Sequence, residues 1–122
     1  MPTATVTPGT FASEAYSGST DAWSSPSNAG ASDNTYATAA VGTSGDKSEY
    51  LKCTNCSFSL PSNAYIQGIE VLVEWSHDGT FSGNAREYRA RIVKAGVVSS
   101  DTTFDSSSQL NSSDATKTFG TS

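Results

Sequence analysis

Few residues in this chain are of a type that does chemistry. Cys53-Thr54-Asn55-Cys56 holds both of its cysteines, and His77 is its single histidine. A Cys-x-x-Cys pair is half of a zinc site, and tetrahedral zinc needs two further ligands at suitable spacing. His77 lies more than twenty residues on and no other thiol exists, so a zinc set is not expected. A redox dithiol is activated at a helix N-terminus, whereas this pair lies on an extended segment. For Cys53 and Cys56 a local disulfide across a turn and two separate thiols both fit, and a disulfide between subunits is a third arrangement. Nucleophilic catalysis needs a base beside a serine or cysteine. That base would be His77, but no Gly-x-Ser-x-Gly elbow is present, and His77-Asp78-Gly79 is a good turn sequence. Neither a catalytic set nor a cofactor is expected.

The acidic residues Asp21, Asp33, Asp46, Asp78, Asp101, Asp105 and Asp114 fall in loop-like segments. Calcium favours loop carboxylates, but no Asp-x-Asp-x-Asp run exists, so turn roles are the expectation. Asn55-Cys56-Ser57 and Asn111-Ser112-Ser113 fit the glycosylation acceptor pattern, which arises by chance in so Ser-rich a chain. Among the aromatics, Trp75 is in phase with Ile69, Val71 and Val73 and reads as core. Trp23 and Phe81 remain as candidate surface platforms. A lone tryptophan in a polar loop also reads as an anchor that plugs the end of a core.

These residues must be positioned by strands. At 122 residues the chain is the size of one domain. Its hydrophobic fraction is 35% and its charged fraction 16%; Ser and Thr fill much of the difference, which suits a β-protein with Thr-rich exposed faces and long loops. Twelve acidic against seven basic residues give a net charge of -5, and such a surface repels phosphate backbones, so nucleic acid is not an expected partner. No apolar run approaches membrane-spanning length. The start, Met1 to Thr10, has neither a basic region nor an apolar stretch, so no signal peptide is expected there.

Residues 1–10 read as an extended arm that orders only against a support, and residues 11–122 as one domain. Phe11 to Tyr16 fits a short strand or a loose turn, and Thr35 to Val41 alternates as a strand does. Glu49 to Phe58 reads as extended. The strongest signal is Ile69 to Trp75, with Ile69, Val71, Val73 and Trp75 facing one way and Glu70, Leu72 and Glu74 the other. Tyr88, Ala90 and Ile92 share a face in a second run, with Glu87, Arg89 and Arg91 opposite. The two runs are expected to form a hairpin at the centre of the fold, closed by the loop Ser76 to Asn84. Arg86, Arg89, Arg91 and Lys94 would then face Glu70 and Glu74 across the pair. No helical periodicity is present, and the segment after Ser99 shows no closing strand.

The pattern Trp23-Ser24-Ser25-Pro26-Ser27-Asn28-Ala29, Asp33, Tyr36-Ala37, then Phe58-Ser59-Leu60-Pro61 through Val71, then Arg91-Ile92-Val93-Lys94-Ala95-Gly96, resembles a known family. That family is a small β-sandwich domain of structural proteins of tailed bacteriophages. The likeness covers most of residues 20–120. It implies an all-β, antiparallel β-sandwich of jelly-roll-like form in which Pro61 ends a strand, Ala64 and Ile66 turn inward, and Gly68 marks a bulge or close approach. Proteins of this kind usually continue beyond the Phe-Gly seen here as Phe119-Gly120. The sandwich is therefore expected to be completed by a neighbouring subunit, or the chain is a shortened version or a fragment.

What the resemblance implies for function is a virion structural protein, most concretely one that decorates and stabilises a capsid surface. It would be made in the host cytoplasm and located on the particle. Its expected partners are copies of itself, with trimers at local three-fold axes the natural arrangement, and the major capsid or another virion protein. The competing reading is a carbohydrate-binding or adhesion module of a tail fibre or surface adhesin, with Trp23 or Phe81 stacking on a glycan.

Overall fold

The computed structural model describes residues 3–78 and 85–121. Among them regular structure is strand apart from one 3-10 turn, so the fold is all-β. The chain divides into two compact units, Met1–Ala64 and Tyr65–Ser122.

In the first unit β1 (Thr10–Glu14) pairs antiparallel with β2 (Tyr50–Thr54), Phe11 opposite Cys53 and Ser13 opposite Leu51. The two-residue period puts Phe11, Ser13, Leu51 and Cys53 on one face and Ala12, Glu14, Tyr50 and Lys52 on the other. On that second face Lys52 Nζ reaches diagonally to Glu14 Oε1 at 2.7 Å. Both partners keep water contact, which limits the pair to less than about 1 kcal/mol. The 3-10 turn Pro26–Gly30 lies against the ring of Phe11, and a Cβ at Gly30 would come within 3.1 Å of its Cε2. The strand start is anchored one residue earlier, where the Gly9 amide donates to Thr54 O and Asn55 O at 3.1 Å.

The long connection between β1 and β2 is held by isolated rungs instead of strands. Ser24 and Thr38 exchange backbone hydrogen bonds of 2.7 and 3.1 Å, and Thr20 N donates to Lys47 O at 2.8 Å. The strand expected over Thr35 to Val41 is reduced to that bridge at Thr38. Asn34 immediately before it is left-handed, at φ 59°. Ala37, Ala39 and Ala40 also offer little apolar area for a sheet to gain by pairing.

In the second unit β3 (Ile69–Trp75) forms as the alternation requires, but its partner is β6 (Ala115–Thr121). The hairpin of Ile69, Val71, Val73 and Trp75 with Tyr88, Ala90 and Ile92 is thereby corrected, as is the absence of a closing strand. Val71 stands opposite Phe119 and Trp75 opposite Ala115. Phe119 brings what Tyr88–Ile92 cannot in this register, an edge-on contact with the Trp75 indole at 5.8 Å between ring centres. Glu70 and Glu74 accordingly face Gly120 and Thr116, not arginines.

The run 85–91 is held instead along the segment 101–110. Glu87 N donates to Ser108 O at 2.9 Å and Leu110 N to Ala85 O at 2.9 Å. Ala90 N donates to Asp105 Oδ1 at 3.0 Å, and Arg91 pairs with Asp105 at 2.8 Å. This inverts the expected faces. Glu87 is 7% exposed while Tyr88 and Ile92 lie at the surface. Beyond them β4 (Val93–Lys94) and β5 (Val97–Val98) form a minimal hairpin around Ala95 and Gly96, both at positive φ. That is the Lys-x-Gly turn of the sequence pattern, built as the twist of a two-residue hairpin demands.

Phe58 to Gly68 has no ladder partner, and the bond Ala64 N to Pro61 O of 3.0 Å marks a turn. Ala64 and Ile66, expected to turn inward, are exposed, as no pairing fixes a face for them. Among the described residues no hydrophobic side chain is buried. In the core set, Val73, Trp75 and Ala90 are half-buried, and Ile69, Val71, Tyr88 and Ile92 are exposed.

Gly120 sits inside β6 at φ 85°, and a Cβ there would collide with the Ile69 carbonyl oxygen. Backbone is not free to yield, since that residue belongs to the paired strand. Gly120→Ala is expected to destabilise β6 pairing by about 1–3 kcal/mol. Thermal unfolding by circular dichroism would show a lowered midpoint; an unchanged midpoint would contradict this account of the strand.

Candidate functional site

The densest constellation of polar side chains in the first unit is built around Trp23. Its backbone N–H donates to Ser13 Oγ at 2.8 Å, and its indole Nε1 donates to Glu49 O at 2.7 Å. Ser13 Oγ in turn donates to Glu49 Oε2 at 2.6 Å. Ser13 is on β1 and Glu49 directly precedes β2, so Trp23 ties the long connection to both strands. Its indole donor is spent within the protein and its ring is half-buried. The anchor reading of Trp23 is thus what the geometry provides. A glycan platform keeps only part of its ring face. Phe81, the other candidate platform, lies outside the described residues.

Asp33, Asp46 and Asp101 serve turns, while Asp114 ties two distant segments. Asp33 Oδ1 accepts Thr35 N at 3.0 Å, and Asp46 Oδ2 accepts Thr43 N at 2.8 Å and Gly42 N at 3.2 Å. Asp101 Oδ1 accepts Thr103 N at 2.9 Å, and Asp114 accepts Ser76 Oγ at 2.9 Å. At Asp46 and Asp101 such bonds favour the ionised form. The Thr43 hydroxyl, then its amide, holds Asp46 below the usual carboxylate range. The Thr103 hydroxyl and amide do the same for Asp101. Among the described residues no group of three or more His, Cys, Asp or Glu side chains is gathered as a cation would need. His77 takes part in the backbone network through its amide, which donates to Asn111 O at 2.8 Å.

Cys53 and Cys56 are free thiols. Cys53 is half-buried on β2, and its Sγ lies 3.7 Å from Leu51 O as donor. Burial first, and then the neighbouring Cys56, pushes the Cys53 thiol up. Cys56 is exposed.

One cluster was not legible in the sequence. Glu87 Oε2 accepts from Ser106 Oγ, Ser106 and Ser108 share a hydrogen bond of 2.9 Å, and Lys117 Nζ donates to Ser108 Oγ at 3.0 Å. Glu87 Oε1 is buried without a partner. A chain of two hydroxyls therefore stands between the carboxylate and the ammonium. Strand alternation assigned Glu87 to the solvent face, and nothing in Ser106-Ser107-Ser108 marks it as the lining of a buried acid.

No protein-family model matches the chain, and neither a curated protein nor a solved structure matches it. No helix among the described residues is long and apolar enough to cross a membrane.

Two outcomes follow from these contacts. Ser13→Ala removes an acceptor and a donor together, and is expected to lower stability in urea by about 1–2 kcal/mol; an unshifted midpoint would mean that the Trp23 tie is dispensable. The second concerns acid. Asp46 has a depressed folded value, so its contribution is present above the unfolded value of about 3.9 and is lost as pH falls through the lower folded one. Amide exchange at Thr43, corrected for its intrinsic pH dependence, should speed up only below that window, and Asp46→Asn should show the fast rate at neutral pH.

Proposed function

We propose that this chain is a structural subunit of a virus particle, most concretely a small β-sandwich protein that decorates a capsid surface and stabilises the shell. The observation that carries the reading is where the apolar side chains lie. Ile69 and Val71 on one face of β3 are both exposed, as is Leu72 on the other at 66%. Exposed large apolar side chains on a paired strand are the kind of surface another chain covers. Covering each large side chain contributes about 1.5–3 kcal/mol, so association supplies what the chain's own interior does not.

The sandwich itself is part of this proposal. A second layer laid over the Ile69, Val71 and Phe119 face of the β3–β6 ribbon would complete it, and a neighbouring subunit is the source we favour. Identical copies that complete one another head to tail form a ring where the rotation closes, and a trimer at a local three-fold axis is the ring that suits a shell. The phage-like signature described above supports the same class. The Thr-rich start of the chain, hydrogen-bonded to the end of β2 through Gly9, fits an arm that settles on a neighbour. The carboxylates engaged with backbone amides support a static role over an enzymatic one. Attachment is then the mechanism: apolar faces are covered while Ser, Thr and acidic side chains stay in water.

Sedimentation of the purified protein, alone and with undecorated shells of its virus, tests this. The expected result is a closed oligomer at micromolar concentration that pellets with shells. Val71→Asp should weaken both by at least about tenfold, the equivalent of about 1.4 kcal/mol, while Ser44→Asp leaves them unchanged. A compact monomer at every concentration that ignores the shells would sink the proposal.

A further inference from the structure

The face of β3 turned away from Ile69 and Val71 is not the one that a second layer would cover, and it has its own chemistry. Glu70, Leu72 and Glu74 alternate along it, with Thr118 opposite Leu72 and Thr116 opposite Glu74 on β6. All of these residues are exposed. Glu70 and Glu74 have interactions within the chain, and these leave both residues at the surface. Four residues apart on a strand, the two acids flank Leu72 over about 13 Å.

A patch of the opposite sign lies on the β4–β5 hairpin. Lys94 stands opposite Val97, and Val93 opposite Val98. The bond from Ser99 N to Ile92 O, 2.8 Å, carries the pairing one residue further. Strand alternation therefore puts Ile92, Lys94 and Val97 on one face and Val93 and Val98 on the other. Burial follows the same alternation: Ile92, Lys94 and Val97 are exposed, Val97 at 68%, whereas Val93 and Val98 are half-buried. The Lys94 ammonium enters no ion pair among the described residues.

We propose that the β4–β5 hairpin of one copy docks on the Glu70, Leu72 and Glu74 face of β3 in a second copy. Ile92 and Val97 then lie against Leu72, and the Lys94 ammonium meets the flanking carboxylates. This rests on the reading above that copies of the chain associate, and it names surfaces through which they do so. The signs of the charges exclude the symmetric pairings. Two β3 faces laid together would oppose carboxylates with carboxylates, and two hairpin faces would oppose lysines. Face against hairpin brings unlike charges together around apolar side chains on both sides. Each copy carries a net charge of -5, so general repulsion disfavours association except where a basic patch meets an acidic one. Because the two patches differ, the contact is heterologous and successive copies run head to tail.

Carbodiimide coupling of a mixture of isotope-labelled and unlabelled full chains tests this on the unaltered protein. Peptide mass spectrometry should find an amide bond between Lys94 of one copy and Glu70 or Glu74 of the other. Lys94→Glu alone, or Glu70→Lys with Glu74→Lys, should weaken self-association in sedimentation by about tenfold or more, since like charges then meet. All three changes in one chain should recover most of the lost affinity. Links between copies confined to other residues, or a triple variant no better than the partial ones, would overturn the proposal. If Val71→Asp disrupts an oligomer that Lys94→Glu leaves intact, this docking site is wrong and the assembly reading stands. A monomer at every concentration removes both. The cross-link needs no substitution, so a misfolded variant does not decide the matter.

Discussion

One serine hydroxyl holds the first unit's long connection in place. Ser13 Oγ accepts the Trp23 amide and donates to the Glu49 carboxylate, while the Trp23 indole binds the Glu49 carbonyl. The segment between β1 and β2 is far longer than a hairpin loop, and its own sequence gives it no strand partner. Fixing such a loop is opposed by chain entropy, which grows only slowly with length but is substantial for every ordered residue. Apolar burial is not available to offset it, because Ser, Gly, Asn and Asp dominate the stretch from Ser17 to Ser32. Hydrogen bonds to fixed points do the work instead. The rungs Ser24–Thr38 and Thr20–Lys47 subdivide the loop into smaller closures, each near a staple already made.

The second unit solves a related problem with a different distribution of residues. Its best strand, β3, has one apolar face and carries Leu72 on the other, so no single neighbour within a two-stranded ribbon covers both. Trp75 and Phe119 meet edge-on and stay half-buried, whereas Ile69 and Val71, the latter directly opposite Phe119, remain in water. A ribbon of two strands is marginal by itself in water. Polar chains such as Glu87–Ser106–Ser108–Lys117 steady the neighbouring segments, and these are directional contacts that fix geometry more than they add net stability. If a neighbouring subunit completes the sandwich as proposed, the exposed Ile69 and Val71 are the strip it would cover.

The legible part of this fold is local. The two-residue alternation of Ile69 to Trp75 gave both the strand and its faces, because side chains on a strand have no other period. The extended character of Tyr50 to Thr54 and the turn at Lys94-Ala95-Gly96 are also written in few residues. So is the isolation of Trp23 among polar neighbours, which points to an anchor. Partner choice is not local. Both Tyr88–Ile92 and Ala115–Thr121 offer alternation, and proximity in the chain favours the nearer one. The farther strand takes the place because Phe119 reaches Trp75 while Arg91 and the Ala90 amide are claimed by Asp105. Gly120 at positive φ and the burial of Glu87 follow from that choice, so neither could be read before it was known. Thr35 to Val41 failed for the reverse reason: its pattern was right, but alanine side chains bury too little to hold a ladder.

The same economy bears on what the molecule does. Acid–base chemistry requires a carboxylate or imidazole that can change its protonation state in contact with a substrate. Asp46 and Asp101 are stabilised as anions by the amides and hydroxyls they cap, which moves them away from neutral pH and not toward it. Asp105 is divided between a backbone amide and Arg91. Charges committed in this way are structural fasteners, and they leave the protein's surplus in a different form, as apolar side chains without cover. Free energy still to be gained by covering Ile69, Val71 and Leu72 is released only when another surface arrives. On the capsid-decoration proposal, a shell would present that surface many times in a fixed geometry, and weak faces on each copy would sum to firm attachment through multivalency.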